Sequence, residues 1–454
     1  MKEKLEKIVQ QIVEEGYQIS PEALEYLSSL DENQLNMYLA RILAAAKRED
    51  VLVITLSFVK EILKVEEKEE IDVEEIPARL EIISSPSTQI ELRITSDILV
   101  SYFREKYRKL KRILEVRHTY QNIKEVIERG RIGEDVKIIG MILEKRENND
   151  IKFVIEDETG ILNIRIPRQN SHLFEEAKRY LPDQVIYIEG KLVEKQLIEV
   201  KSLDLPDILP AHKPKGTKTD ICAAFISDLH IGHPNFQAES FEGFLDWLKN
   251  DGRKKIKYLL IAGDLINNPK EEENYDVLYN YLKKVPTSIE VVIIPGDADA
   301  TLPILPQPPI TRNIEKITKM DNVKVLGNPA LIKIHNISVL LFHGLGTEKL
   351  MEKINLKTPI DLAKFLLKSR HLCPSYGTIP LIPHSGDLLT ISNIPDIFHL
   401  GHFHLVFHDQ YNGVHIISSG AWIPSNEKNS NKLPCQVPIM NLKNFEVKIL
   451  TFVK

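Results

Sequence analysis

"EVVIIPGDADATLPILPQPP", Glu290 to Pro309, joins a β-branched apolar run to a loop that opens on Pro-Gly-Asp. A run of Val and Ile without polar alternation is the pattern of a strand buried on both faces. Pro-Gly then ends it, because proline has no N–H for a ladder and glycine tolerates sharp turns. The loop carries Asp297 and Asp299. What these carboxylates do depends on what else the chain brings to the same place.

Four other stretches have the same form: "AAFISDLH" (Ala223–His230), "KYLLIAGDL" (Lys257–Leu265), "SVLLFHGLG" (Ser338–Gly346) and "DIFHLGHFH" (Asp396–His404). Between the first three strands, "FEGFLDWLKN" and "YDVLYNYLKK" have the pattern of crossover helices. In such α/β arrangements the carboxyl ends of neighbouring strands face a shared crevice, so side chains just beyond them meet although distant in sequence. Asp228, His230, Asp264, Asp297, His343, His402 and His404 are therefore expected around one cavity. Of the 14 histidines, all but His118, His172 and His212 follow Asp220, an asymmetry that calls for a chemical use. Mixed carboxylates and imidazoles suit Mn, Fe or Zn better than Ca or Mg. Seven donors exceed the needs of one ion, so two divalent ions are expected, Mn favoured with Fe or Zn as alternatives, and Asp264 able to bridge them.

Upstream the periodicity changes. Residues 1–64 read as a helical N-terminal domain, with Ile8, Ile12, Leu24, Leu27, Leu35, Leu39 and Ile42 at helical spacing, Ser20 as N-cap and Pro21 at the first helical position. Residues 65–95 are an acidic linker and lead-in. "VEEKEEIDVEEIPA" (Val65–Ala78) has too few apolar side chains to bury and is expected to be solvated. Residues 96–209 comprise a basic helix, "SDILVSYFREKYRKLKRILEVR", and a run of short strands. The helix carries Arg104, Lys106, Arg108, Lys109 and Arg112, candidates for nucleic-acid phosphates. In the strands "VKIIGMILEKR", "IKFVIEDETGILNIRIP" and "QVIYIEGKLVEKQLIEVKSL", turn signals at Asn148–Asp150, Thr159–Gly160 and Gly190 predict a small OB-like β-barrel. Asp157, Glu158 and the lack of exposed aromatics favour a structural or subunit-contact role for it over DNA contact. Residues 210–220, rich in Pro, Lys and Thr, read as a linker. Residues 221–454 form the domain of the metal ligands. The fold class expected is multidomain α/β: a helical N-terminal domain, the barrel, and a two-layered sheet domain with flanking helices.

Composition fits this plan. At 454 residues, 43% apolar and 27% charged, the chain can bury several cores, and length alone suggests about three domains. A net charge of -6 gives no overall attraction to nucleic acid, so any basic surface is local. Cys222, Cys373 and Cys435 show no metal or disulfide spacing, which predicts reduced thiols in a cytoplasmic protein. "MKEKLEKIVQQIVEEG" has no signal-peptide core, and no apolar run approaches about 18 residues, so no membrane is expected.

The ordered set D-x-H, G-D, P-G-D, H-G and G-H-x-H resembles the calcineurin-like metallophosphoesterases. That likeness implies two ions clamping a phosphate ester, with the seven side chains as their ligands. "GMILEKR", "EDETG", "IPGDADA" followed by "PQPP", "RHLCPSYG", "DLLTI", "IPDIFHLGHFH" and "ISSGAW" further resemble the small-subunit family of archaeal family D DNA polymerases, from about Ser96 to the C-terminus. The resemblance implies a heterodimer whose large subunit polymerises, while this subunit carries a 3′-5′ proofreading exonuclease. It also implies kinship with catalytically dead small subunits of eukaryotic replicative polymerases. Expected partners are the large catalytic subunit, primer-template DNA, single-stranded 3′ ends and, as a further candidate, the sliding clamp.

The opening stretch departs from that family. Active members read Gly-Asn-His-Asp, the Asn binding metal and the His contacting phosphate or protonating the departing oxygen, where this chain has Gly296, Asp297, Ala298 and Asp299. Asp297 can still ligate. Ala298 cannot donate a proton, and losing one general acid costs about 10²- to 10⁴-fold in rate. His233, just past the first ligand pair, is a weak substitute candidate. The sequence thus favours a DNA polymerase small subunit with weak or lost nuclease activity, with a stand-alone metallophosphoesterase acting on nucleotides or nucleic acid as the alternative.

Overall fold

Apolar side chains at helical spacing close the N-terminal helices on one another. The computed structural model describes all residues except 1, 29, 31, 50, 64–72, 74, 88–93, 272, 385, 425–432 and 454. It divides into two compact units, Met1–Asp72 and Val73–Lys454. The first contains α1 (Lys2–Glu14), β1 (Gln18–Ile19), α2 (Pro21–Ser28), α3 (Glu32–Arg48), β2 (Val53–Ile54) and α4 (Leu56–Leu63). Ile8, Ile12, Leu27, Leu39 and Ile42 lie in its core, and Ser20 Oγ accepts from Ala23 N (3.2 Å) as a cap to α2. A short parallel pairing of β1 with β2 ties the helices together.

The second unit opens with β3 (Leu80–Ser84), α5 (Ser96–Glu115) and α6 (Ile123–Arg129). Here the solvated-linker reading of Val65–Ala78 needs correction. Most of it lies outside the described residues, but Val73 is buried among Ala223, Tyr258 and Leu260, and its carbonyl accepts from the buried Lys257 Nζ (3.2 Å). Within the lead-in, Leu80–Ser84 is an edge strand. A pattern of acidic residues hid single apolar anchors that only a finished core can reward.

A closed five-stranded barrel follows, with strand order β4 (Asp135–Glu147), β5 (Ile151–Glu156), β6 (Ile161–Ile166), β8 (Leu197–Asp204) and β7 (Val185–Glu194); α7 (Ser171–Ala177) sits between β6 and β7. Gly190, expected in a turn, lies inside β7 at a bulge. A Cβ there would stand 2.4 Å from the Glu199 carbonyl, so close approach of β8, not a turn, requires the glycine. Helix α5 packs Tyr107, Leu110 and Leu114 against Ile139, Met141 and Tyr187 of the barrel.

Residues 210–220 are not a free linker. Thr217 N donates to the Leu442 carbonyl (2.8 Å), and His212 Nε2 lies 3.3 Å from Asp396 Oδ1. Beyond them come β9 (Cys222–Ile226), α8 (Ala238–Asn250), β10 (Ile256–Ala262), α9 (Glu273–Leu282), β11 (Glu290–Ile294), α10 (Glu315–Thr318), β12 (Val323–Val325), β13 (Ala330–Ile334), β14 (Ile337–Phe342), α11 (Thr347–Lys353), α12 (Pro359–Ser369), β15 (Ile397–Leu400), β16 (Phe407–Tyr411), β17 (Val414–Ser418), β18 (Gln436–Asn441) and β19 (Val447–Thr451). They form two six-stranded sheets, β12-β11-β10-β9-β18-β19 and β16-β17-β15-β14-β13-β3. Alternate side chains explain why the strands are apolar on both faces. Phe225, Leu260, Ile294, Ile332, Leu341 and Ile417 fill one core between the sheets. Ile226, Leu259 and Ile293 meet α8 and α9 outside the first sheet, while Leu340, Phe342 and Leu400 meet α11 and α12 outside the second.

Candidate metal centre

Parallel pairing of β9, β10 and β11, and of β14 with β15, points their carboxyl ends the same way within each sheet. The loops leaving all five converge. Asp228 and His230 follow β9, Asp264 follows β10, Asp297 follows β11, His343 follows β14, and His402 and His404 follow β15. Asp228, Asp264 and His343 present ligand atoms within 4.8 Å of one another; so do Asp228, His230 and His404, and likewise Asp297, His343 and His402.

The distances resolve two half-sites. In one, His230 Nε2 lies 3.2 Å from His404 Nε2 and 3.7 Å from Asp264 Oδ2, and His404 Nε2 lies 3.4 Å from Asp228 Oδ1. In the other, His343 Nε2 lies 3.5 Å from Asp264 Oδ1 and 3.6 Å from Asp297 Oδ1, and His402 Nδ1 lies 3.6 Å from Asp297 Oδ2. Asp264 thus faces one half-site with each oxygen. Most of these gaps are long for hydrogen bonds. They suit neighbouring donors that each sit about 2.1 Å from a shared ion.

Three observations say that the residues fit a cation. His343 Nδ1 donates to the Ala262 carbonyl (2.7 Å), so Nε2 is the nitrogen that faces inward, where it finds no hydrogen-bond partner. Asp297 Oδ1 is likewise buried without one. Finally, Asp228, His230, Asp264, His402 and His404 all hold positive φ between 51° and 71°, a conformation unfavourable for residues with a Cβ. Strain of this kind persists where surrounding contacts impose it, and it clusters at functional sites.

Electrostatics point the same way. Burial would raise the Asp228 carboxyl, but His404 and His343 hold it well below the usual range. Burial disfavours charge on His343, yet Asp264, Asp228 and Asp297 push it up to about 9. Burial raises Asp297, with His343 and His402 opposing. Carboxylates and imidazoles thus stabilise each other's charge around the cavity.

The braces around the donors were not read from the sequence. Asp299 is buried, accepts from Leu265 N (3.0 Å) and Ile266 N (3.4 Å) through Oδ1 and from Gly296 N (2.8 Å) through Oδ2, and so clamps the Asp264 and Asp297 loops together. Burial and then Asp264 push its carboxyl up to about 7. Gln307, the polar residue of "PQPP", donates to the Gly296 carbonyl (3.1 Å) and accepts from Asn328 Nδ2 (2.5 Å), whose Oδ1 accepts from His343 N (3.2 Å). Behind Asp228, Ser227 Oγ donates to its Oδ2, Ser419 Oγ to Ser227 Oγ (2.8 Å), and the buried His399 Nε2 lies 2.9 Å from Ser419 Oγ. A polar residue in the loop beyond a buried strand was the available signal, but its partners were not.

Ala298 is half-buried and its N–H donates to Asp264 Oδ1 (2.8 Å), so this position supplies a backbone contact and no titrating group. His233 turns its Nδ1 to accept from Asn235 N (3.0 Å) and joins none of the three donor clusters. Of the nucleic-acid candidates, Arg104 and Arg112 are exposed and Arg108 pairs with Glu158 (2.9 Å). Lys106 is fully buried and donates to the Pro374 carbonyl (2.7 Å), and Lys109 Nζ donates to the carbonyls of Gly386 (2.5 Å) and Asp387 (2.9 Å). Lys106 therefore cannot reach a phosphate, and Lys109 is engaged by protein. One basic run wraps around a helix, so some of its charges face inward.

Known proteins are similar to this chain in sequence. Residues 223–408 match the B-subunit family of DNA polymerases alpha and epsilon. Similar proteins are named DNA polymerase II small subunit. The one from Methanothermobacter thermautotrophicus is 30% identical over 80% of this chain and 81% of its own length. The one from Archaeoglobus fulgidus is 29% identical over 93% of each. The one from Pyrococcus abyssi is 32% identical over 80% of this chain, which spans 64% of that relative's length.

Proposed function

Because the chain belongs to the archaeal DNA polymerase II small-subunit family, we propose that it supports the large catalytic subunit of that polymerase and holds a two-cation centre of the 3′-5′ exonuclease type, slowed by the lack of a proton donor at Ala298. The observation that carries this reading is the convergence of seven donors around two buried atoms with no other partner, Asp297 Oδ1 and His343 Nε2. Asp228, His230, Asp264 and His404 would hold one divalent ion, and Asp264, Asp297, His343 and His402 the other. Manganese is favoured, with iron or zinc as alternatives, since the donors mix carboxylate and imidazole. Bound there, the ions would polarise a phosphodiester and make water a better nucleophile near neutral pH.

The chain's own residues account for slow turnover. Asp297 places a carboxylate where neutral ligands would leave more positive charge for a phosphate. Ala298 leaves the departing 3′ oxygen without an acid, worth about 10²- to 10⁴-fold. His233 is a weak substitute, since its Nδ1 accepts from the Asn235 backbone and it joins none of the donor clusters, which leaves only Nε2 to serve. The closed barrel, read as OB-like, and the domain of the metal ligands would serve mainly as a docking body for the large subunit. Primer-template DNA, single-stranded 3′ ends and the sliding clamp are the further partners this reading entails, in the cytoplasm. Among the described residues no helix is long and apolar enough to cross a membrane.

Manganese-dependent degradation of a labelled single strand by the purified heterodimer tests the reading. Slow degradation that Asp264→Ala reduces at least about 10²-fold supports it. Fast degradation, or activity that survives Asp264→Ala, overturns it. Failure to co-elute with the large subunit would favour a stand-alone phosphoesterase.

A further inference from the structure

His402 differs from the other histidines of the centre in how its second nitrogen is held. Its Nδ1 faces Asp297 Oδ2 at 3.6 Å, while its Nε2 meets the carboxylate of Glu348, a residue outside the seven donors. Glu348 reaches this position by a short, pinned path. His343 is followed by Gly344 at φ +118°, where a Cβ would stand 3.1 Å from the His402 Cβ, so the chain passes directly over that histidine. Thr347, buried, donates its Oγ1 to the Gly344 carbonyl (2.6 Å) and begins α11, which presents Glu348 one residue later. The turn after one donor thus delivers the partner of another.

We propose that Glu348 is a positioning residue of the metal centre: by accepting Nε2–H of His402 it fixes the tautomer whose Nδ1 offers a lone pair beside Asp297. The inference rests on the two-cation reading. A histidine that donates one ring N–H to a carboxylate is held in orientation and made a stronger donor, and loss of such a partner weakens metal affinity by about 10- to 100-fold. The Glu348 side chain is 52% exposed, and a contact so placed contributes little to folding by itself. A surface contact with no hold on the metal centre therefore predicts almost no effect on metal binding.

The test uses the full-length chain, stripped with chelator and titrated with Mn(II) by calorimetry, with metal-free melting curves alongside. Glu348→Ala should weaken one of two binding steps about 10- to 100-fold, leave the other unchanged, and scarcely alter the metal-free melt. Glu348→Gln, whose amide oxygen still accepts from Nε2–H, should recover most of the loss. If the unsubstituted chain binds no Mn(II), the two-cation reading falls and this inference with it. If that chain binds two ions and Glu348→Ala binds them equally well, this inference alone is overturned. Equal loss in Glu348→Ala and Glu348→Gln, with a lowered metal-free melt in both, would also overturn it, showing a structural role.

Discussion

At position 298, in the exonuclease reading proposed above, one missing side chain separates a site that would hold cations from one that would also protonate a leaving oxygen. The loop path is pinned by Ala298 N to Asp264 Oδ1 and by Gln307 on the Gly296 carbonyl, so a longer side chain at 298 would start from a fixed backbone. Ala298→His combined with Asp297→Asn is expected to raise exonuclease turnover at least about tenfold, measured on a labelled single strand. No gain over the unsubstituted protein would place the acid elsewhere. Asp299 makes a different prediction. It satisfies three backbone N–H groups of two ligand loops, and leaving buried donors unpaired costs about 1–3 kcal/mol each. Asp299→Ala should therefore lower stability by about 3 kcal/mol or more in equilibrium denaturation, and a change under about 1 kcal/mol would contradict the clamp.

Among the elements, α5 shows how a charge run can serve opposite ends. Its exposed Arg104 and Arg112 remain free to meet an anionic partner, whereas Lys106 is spent on fixing the helix to the Pro374 carbonyl, near a buried pair in which His371 Nε2 lies 3.2 Å from Asp387 Oδ1. Lys106→Ala should cost about 2–4 kcal/mol by opening a cavity. Lys106→Met should cost less, since it keeps volume and removes a buried charge. Neither should change DNA affinity, and a tenfold loss of binding in Lys106→Met would show that the inward placement is wrong. Strand β3 carries a similar lesson, because its pairing with β13 covers an edge that would otherwise be exposed.

For the molecule as a whole, the division at Asp72 and Val73 implies that a chain beginning at Val73 keeps β3 and its core contacts. It should melt cooperatively, while one beginning at Ser96 should melt several degrees lower and aggregate through β13. Acid stability follows from histidines held neutral. Burial, then Lys106, lowers His371 to about 4; burial lowers His399 to about 3, and burial, then His408, lowers His415 to about 4. Each folded value lies below the ordinary 6.5. Their contribution is therefore complete above about pH 6.5 and is lost as pH falls towards 4, by up to about 1.4 kcal/mol per unit for each. His343, raised to about 9, has the opposite sign: without metal, stability is lost between about 6.5 and 9, and below 6.5 it adds no slope. Melting temperatures of the chelated chain should thus fall on both sides of about pH 6.5. A curve flat from pH 7 to 5 would contradict the buried neutral histidines.

The meeting of the seven side chains could be read from sequence because each follows an apolar run whose end is marked locally, by Ser-Asp, Gly-Asp, Pro-Gly-Asp, His-Gly or Gly-His. The α/β class and the short strands of the barrel were legible for the same reason: periodicity reports how each residue faces its own element. Tertiary structure alone decided which runs fall in which of the two sheets, that Leu80–Ser84 joins one of them, and that Lys106 points inward. It also decided that Asp299, Gln307 and Glu348 brace the donors. Hydrophobic pattern is a local property of the chain, whereas strand order and the partner of a buried polar atom are settled only when distant segments close on each other and every desolvated group must find a mate.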